Sequence, residues 1–358
     1  MKVVGGSCNL RCKYCFYDGH QNSPLVLMDG EVLEKVVGDL MKVSPVGIRF
    51  IWHGGEPMLA GIDYFTKIVQ LQQRFATNGQ MVENSIQTNG TLINEEWVGF
   101  FKKHDFKVGV SLDGPEHIHD QVRINVAQRG TYKSVMRGIN LLREAEMTVG
   151  VIAVINSDSV NYPDELFNFF YHQGLNFNAN ECTAFPDDPL VVRSLAINPM
   201  EYAQFLLKIF DLWLEAGNPR YRVRPLVDFV HAVIGQQPKT CKMQGRCHQY
   251  ITIDVNGDVY PCHAYLRPEH VLGNLASTGI EKFLEGPQIK QYYSGRLETL
   301  KACGDCQWVR VCNGGCMRAW GGKTALTDIS EHQDCEALKL LYGRISTKLQ
   351  AMGYSTIL

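Results

Sequence analysis

Eleven of the chain's twelve cysteines stand in two groups, Cys8 to Cys15 and Cys241 to Cys335, with Cys182 alone between them. The opening residues, MKVVGGSC, lack the long apolar stretch of a secretory signal. Reducing compartments keep thiols free, so clustered cysteines in such a chain read as metal ligands, not as a disulfide framework. The first group, in CNLRCKYCFY, has the spacing C-x3-C-x2-C. Three thiolates so close in one loop can hold three irons of a [4Fe-4S] cluster and leave the fourth iron open to a ligand other than protein. Soft thiolate sites select iron-sulfur clusters or zinc. Structural zinc usually closes with four protein ligands, and no fourth is evident near this loop.

Other function classes are disfavoured by the totals. Lysine and arginine number 35 against 37 aspartates and glutamates, which gives no electrostatic case for nucleic acid or an anionic membrane. No apolar run approaches the roughly 20 residues of a membrane helix. A soluble, cytoplasmic enzyme is the expectation, and Cys182 reads as a small buried thiol.

From Met1 to about residue 185, short apolar runs alternate with helical patterns. The expected strands are Lys2–Gly5, Gly47–Trp52, Val82–Gln87, Lys107–Leu112, Thr148–Ile155 and Asn176–Cys182. Amphipathic segments lie between them, near Gly30–Lys42, Asp63–Phe75, Asn94–Lys103, Thr131–Ala145 and Pro163–His172. Strand-helix alternation implies parallel strands with crossover helices. Six units are too few for a closed eight-stranded barrel and suit a curved, partly open one: an α/β fold, a partial (β/α)6 TIM-like barrel. Polar, glycine-bearing runs follow the strands: His53-Gly54-Gly55-Glu56-Pro57, Gln87-Thr88-Asn89-Gly90 and Ser111-Leu112-Asp113-Gly114-Pro115. In parallel barrels the active site forms at the C-terminal strand ends. With the cysteine triplet placed after the first strand, all of these open on one face.

Residues 198–240 read as two helices, the first with Tyr202, Phe205, Leu206, Ile209, Phe210 and Trp213 as a packing stripe. From Cys241 the pattern becomes short loops, a hairpin turning at Asn256-Gly257, dense cysteines and a final helix near 331–352. The expected domains are 1–195, the barrel; 196–240, a helical bridge; and 241–358, a cysteine-rich domain.

The triplet, flanked by Tyr14 and Phe16, resembles that of the radical S-adenosylmethionine (SAM) enzymes. Over about Cys8 to Cys335 the chain resembles a radical SAM enzyme with a C-terminal SPASM domain, most closely the anaerobic sulfatase-maturase branch. The resemblance implies that SAM binds the open iron on Cys8, Cys12 and Cys15 and is cleaved to the 5′-deoxyadenosyl radical. It implies that Gly54, Gly55, Glu56 and Pro57 hold the methionyl amine, and that Ser111 and Arg123 bind the ribose and methionyl carboxylate. Arginine's fork suits a carboxylate. Gln87 and Asn89 would join the polar lining, and Tyr14 and Phe16 would flank the adenine.

The later cysteines follow the SPASM order: Cys247, Cys262, then Cys303-x2-Cys306-x5-Cys312-x3-Cys316, then Cys335, with Cys241 as an eighth. Eight thiolates complete two four-cysteine [4Fe-4S] clusters, although C-x2-C pairs are also zinc-like. By the resemblance, Cys241, Cys247, Cys262 and Cys316 hold the first auxiliary cluster, and Cys303, Cys306, Cys312 and Cys335 the second, making three clusters in all. Fully ligated clusters leave no open iron, so their work would be electron transfer.

The maturases carry an aspartate after the cysteine matching Cys262, taken as the base; this chain has His263. Histidine titrates near neutrality and can accept a proton, so His263 is the first candidate base, with Asp113 and Glu181 next. The change tilts the expectation toward oxidative modification of a ribosomal peptide, such as a cross-link or cyclophane. The alternative is formylglycine formation from cysteine or serine by an anaerobic sulfatase maturase; a non-enzymatic electron carrier comes third. The expected partners are a peptide or protein substrate and an external electron donor such as flavodoxin or ferredoxin. Seven residues precede Cys8, so no N-terminal peptide-recognition domain is expected. Leader recognition would fall to the barrel, the bridge or a separate recognition protein.

Overall fold

The structure is a computed structural model that describes residues 1–15, 17, 24–184, 188–247, 250–320 and 332–357, apart from the side chains of 293 and 296–299. Its main sheet has six parallel strands in sequential order: β1 (Gly47–Trp52), β2 (Met81–Thr88), β3 (Lys107–Ser111), β4 (Val149–Ile155), β5 (Phe177–Glu181) and β6 (Val223–Arg224). Registers such as Gly47↔Met81, Ser85↔Lys107 and Val108↔Val149 are those of crossover-connected neighbours. Helices Gly30–Val43, Ile62–Phe75, Glu95–Lys103, Tyr132–Glu144 and Pro163–His172 alternate with the strands. This is the partial (β/α)6 barrel.

Two elements differ from expectation. Lys2–Gly5 is a turn. Met1 alone makes the bonds of a parallel neighbour, donating to Ile51 O at 2.9 Å and accepting from His53 N at 3.0 Å. Gly5 then takes φ +54° and turns the chain toward the cysteines. Val3 and Val4 are buried, so their apolar character marks core rather than ladder. The sixth strand is instead Val223–Arg224, inside the stretch read as two helices; those helices are Pro199–Glu215 and Leu226–Val233.

The chain folds as two compact units. The first comprises Met1–Ala153, Thr252–Tyr260 and Val271–Gly286. Its core is an aromatic cluster in which Phe65 meets Trp52, Trp97 and Phe106 edge-on at 5.9, 5.6 and 6.1 Å. Asn94 caps its helix by accepting from Trp97 N at 2.9 Å, with Glu95 and Glu96 at the positive end of the helix dipole. This unit also holds a small antiparallel sheet, β7 (Thr252–Ile253), β8 (Asp258–Tyr260) and β9 (Gly273–Asn274), whose hairpin turns at Asn256-Gly257.

The second unit comprises Val154–Ile251, Pro261–His270 and Pro287–Leu358. Tyr202, Phe205, Leu206, Ile209 and Phe210 form its buried stripe, and Asn198 with Glu201 makes a capping box at that helix's start. The last helix is Cys335–Ala351. Among the described residues, no helix is long and apolar enough to cross a membrane.

Candidate active site

Within the first unit, the triplet loop is pinned at the C-terminal ends of β1, β2 and β3. Glu56 N donates to Ser7 O at 2.8 Å, in the loop after β1. Asn9 Nδ2 donates to Thr91 Oγ1 at 2.9 Å and Asn9 Oδ1 accepts from Asn89 Nδ2 at 2.8 Å, beyond β2. Arg11 N and Lys13 N donate to Ile124 O and Val122 O at 2.7 and 2.9 Å, beyond β3. Gly55 must be glycine, because it has φ +50° and a Cβ would lie 2.1 Å from Ser7 O. N–H groups face the sulfurs: Leu10 N is 3.3 Å and Asn89 Nδ2 3.8 Å from Cys8 Sγ, and Arg123 Nη1 is 4.0 Å from Cys12 Sγ. Such donors suit ligating thiolates. Burial pushes the free thiols up, to about 11 at Cys8 and about 12 at Cys12, so metal binding has to displace their protons.

Glu56 is fully buried. Its Oε1 accepts from Met58 N at 3.0 Å and Thr88 Oγ1 at 2.8 Å, and its Oε2 from Asn89 N at 2.7 Å. The carboxylate thus ties the His53–Pro57 loop to the end of β2, and burial, against those three bonds, pushes it up to about 7. Gln87 Nε2 donates to Ser111 Oγ at 3.1 Å, linking the ends of β2 and β3.

Asp113 is also fully buried. Its Oδ2 accepts from Arg123 Nε at 2.9 Å and from the Tyr14 hydroxyl, and Arg123 lies 5.4 Å from the Tyr14 ring centre. Asp113 N donates to His119 Nδ1 at 3.2 Å, and His119 Nε2 meets Thr131 Oγ1 at 3.0 Å. Burial, outweighing Asp113, holds His119 down at about 4, so its ring is neutral. One charged group and one neutral ring therefore fix Arg123 beside Cys12.

Within the second unit, eight cysteines form two sets. The cysteines that act on Cys241 are Cys247 and Cys262, and those that act on Cys316 are Cys262 and Cys247. Those that act on Cys312 are Cys303, Cys335 and Cys306. Cys303, Cys306, Cys312 and Cys335 line one cavity of about 260 Å³ together with Trp308 and Tyr342. Cys247 and Cys262 thus act on both Cys241 and Cys316, whereas Cys303, Cys306 and Cys335 act on Cys312. Among the described residues, no three His, Cys, Asp or Glu side chains close on a single metal ion.

The family model described as the radical SAM superfamily matches residues 3–170, and SPASM, an iron-sulfur cluster-binding domain, matches residues 241–307. A cysteine-type anaerobic sulfatase-maturating enzyme of Clostridium novyi is 31% identical over 325 residues, 89% of this chain and 87% of that protein. A serine-type anaerobic sulfatase-maturating enzyme of Bacteroides thetaiotaomicron is 30% identical over 353 residues, 91% of this chain and 83% of that protein. The chain belongs to the radical SAM superfamily, in the family of the anaerobic sulfatase-maturating enzymes. The solved structure of native anSMEcpe with bound AdoMet and Cp18Cys peptide is 26% identical, with TM-score 0.85, covering 98% of this chain and 97% of that one.

In this radical SAM enzyme the first unit brings together Cys8, Cys12, Cys15, Tyr14, Gly54, Gly55, Glu56, Pro57, Asn89 and Arg123 around the triplet loop, with the Gln87–Ser111 pair at the neighbouring strand ends. Phe16 lies outside the described residues. His263 is exposed, its Nδ1 3.6 Å from Cys262 Sγ. Glu181 pairs with Lys242 at 3.3 Å; burial raises it, but Lys242 and Arg318 hold it below the ordinary carboxylate range. Cys182 is buried, its N–H on Ile155 O at 2.7 Å.

Sequence reasoning passed over His119, Thr88 and Asn9. All three sit in the same polar runs as the residues it chose, but a second contact inside a motif has no spacing signal of its own. It also passed over Tyr265 and Tyr292, which lie within electrostatic range of Cys247, Cys262 and Cys316.

Proposed function

We propose that this enzyme is an anaerobic sulfatase maturase, oxidising a cysteine or serine side chain of a protein substrate to formylglycine. The observation that carries the reading is the likeness to both cysteine-type and serine-type maturating enzymes along nearly their whole length. In this reading residues 1–195 are the radical SAM barrel, 196–240 a helical bridge and 241–358 the auxiliary-cluster domain.

Cys8, Cys12 and Cys15 hold the SAM-binding cluster; Cys241, Cys247, Cys262 and Cys316 the first auxiliary cluster; Cys303, Cys306, Cys312 and Cys335 the second. The fit rests on the N–H donors facing Cys8 and Cys12, on the cysteine-lined cavity of the last quartet, and on the buried Tyr265 hydroxyl near the other. When bound, these groups supply the 5′-deoxyadenosyl radical and a local electron acceptor. The chain's residues do the rest. The Gly54–Pro57 loop, Ser111 and Arg123 orient SAM, Gln87 and Asn89 complete the polar lining, and Tyr14 and Phe16 flank the adenine. His263 takes the proton.

The substrate carbon gives up one hydrogen atom, which ends on 5′-deoxyadenosine. Loss of one proton and one electron then completes the oxidation. Serine gives the aldehyde directly, whereas cysteine gives a thioaldehyde that water converts to the aldehyde with release of hydrogen sulfide. The electron returned equals the electron first delivered to SAM, so an external reductant such as flavodoxin or ferredoxin serves to prime the cycle.

His263, in place of the maturases' aspartate, favours a second reading, cross-linking or other oxidation of a ribosomal peptide, with a separate recognition partner where a leader must be bound. The test is anaerobic incubation of reconstituted, reduced enzyme with SAM and peptides carrying the sulfatase motif with cysteine or serine. The expected product is the formylglycine peptide in step with 5′-deoxyadenosine. Cleavage of SAM with both peptides unaltered would overturn the maturase reading.

A further inference from the structure

Two buried hydroxyls among the described residues, those of Tyr221 and Tyr265, make no hydrogen bond within the protein. Burying a hydroxyl without a partner is costly, so each unmet one asks what satisfies it. Tyr221 sits among Phe167 and Tyr171, with ring centres 5.8 and 5.0 Å away, and the group that acts on its hydroxyl is Tyr171. Tyr265 is different. It is 5% exposed, and its backbone N–H donates to Cys262 O at 3.0 Å, in the short turn that Cys262 begins. His270 packs edge-on against its ring at 5.0 Å and fixes the ring's plane. The cysteines within electrostatic range of its hydroxyl are Cys316, Cys262 and Cys247.

We propose that the Tyr265 hydroxyl donates a hydrogen bond to a sulfur of the cluster held by Cys241, Cys247, Cys262 and Cys316, and so raises that cluster's reduction potential. The inference rests on the ligand set given under Proposed function. A donor aimed at a cluster sulfur stabilises the extra negative charge of the reduced state. Reduction adds one electron to the cluster and moves no proton, so the phenol donates its hydrogen bond and keeps its hydrogen. Tyr265 is a positioning and tuning residue: it favours arrival of the electron that the substrate releases.

The experiment is an EPR-monitored redox titration of reconstituted wild-type enzyme, Tyr265→Phe and Tyr221→Phe. Tyr265→Phe is expected to titrate one auxiliary signal at a more negative potential at unchanged iron content, while Tyr221→Phe titrates like wild type. Proton ENDOR on the reduced wild-type auxiliary cluster should show a coupling that disappears in D2O and is missing in Tyr265→Phe. An unmoved potential in Tyr265→Phe, or a coupling that survives in it, overturns the proposal. So does a wild-type auxiliary signal with no exchangeable coupling, whatever iron the variant retains. Cys316→Ala separates the two levels: full iron and an intact auxiliary signal in that variant would overturn the ligand set, whereas their loss beside an unmoved Tyr265→Phe potential overturns the tyrosine's part alone.

Discussion

Replacing Asp113 by asparagine decides whether this carboxylate is a base or an anchor. Its Oδ2 is already shared by the Tyr14 hydroxyl and Arg123 Nε, and both partners of the ion pair are buried, at 0% and 8% side-chain exposure. Asparagine keeps the shape and one acceptor oxygen but leaves the Arg123 charge uncompensated 4.0 Å from Cys12 Sγ. Removing one partner of a buried pair costs about 3–5 kcal/mol, more than an exposed pair could ever contribute. At about 2.1 cal/mol/K per residue, 358 residues lose about 0.75 kcal/mol per degree near the midpoint. Tm should therefore fall by about 4–7 °C in anaerobic scanning calorimetry at fixed rate.

Adding Arg123→Met removes the orphaned charge and should restore part of that loss, since apolar replacement of a whole buried pair is often neutral. Because the anchored guanidinium stands beside Cys12, Asp113→Asn should also depress SAM cleavage itself. The opposite pattern is as clear. An unchanged Tm and full 5′-deoxyadenosine with no oxidised peptide would make Asp113 the base and refute the anchoring argument.

Alanine at Cys8, Cys12 and Cys15 together should abolish SAM cleavage and lower iron from about twelve to about eight per chain; cleavage that survives would refute the open-iron site. His263→Ala should spare SAM cleavage while lowering oxidised product by roughly 10²–10⁴, the scale of general-base loss, and unchanged product would move the base elsewhere. Glu56 stands near 7 against 4.5 in an open chain, so the stability it contributes is full below about 4.5 and lost as pH rises through about 7. His119 stands near 4 against 6.5, so its contribution is present above about 6.5 and lost as pH falls through about 4. The two oppose each other: from pH 6.5 down to 5, Glu56→Gln should lose urea resistance while His119→Asn gains it. Each effect has a ceiling of about 3 kcal/mol over the full window, and parallel curves would refute both assignments.

The barrel was legible because its strands alternate buried apolar residues with more exposed ones, as Val149, Val151, Ala153 and Ile155 do, and the crossover helices between them carry a 3.6-residue stripe. Where that rule failed, burial and hydrogen bonding had come apart. Val3 and Val4 are as buried as any strand residue, yet the chain turns at Gly5 before a ladder forms. Val223–Arg224 pairs with Phe177–Asn178 over two residues, too few for any periodicity to register. The cysteines were singled out for a different reason, since a thiol's chemistry belongs to its residue type wherever the chain carries it. Spacing alone does not sort them, and their proposed partition came from the family resemblance: Cys316 follows Cys312 by four residues, yet the cysteines acting on it are Cys262 and Cys247.

The same distinction separates the residues that touch the cofactors from those that hold them. A glycine-bearing loop or a cysteine pair announces itself by spacing, because the group it binds imposes the spacing. His119 and Tyr265 answer to no such template. Each reads in sequence as an aromatic packing residue, and what sets it apart is one atom: a ring nitrogen that accepts from Asp113 N, and a hydroxyl for which the protein provides no partner. Both lie within a few residues of groups the sequence did pick out, Asp113 and Cys262, His119 in the helix Glu116–Val122 and Tyr265 in the short turn after Cys262. Chain proximity to a motif, burial and a polar atom left over after the protein's own bonds are counted together identify the supporting residues that spacing cannot.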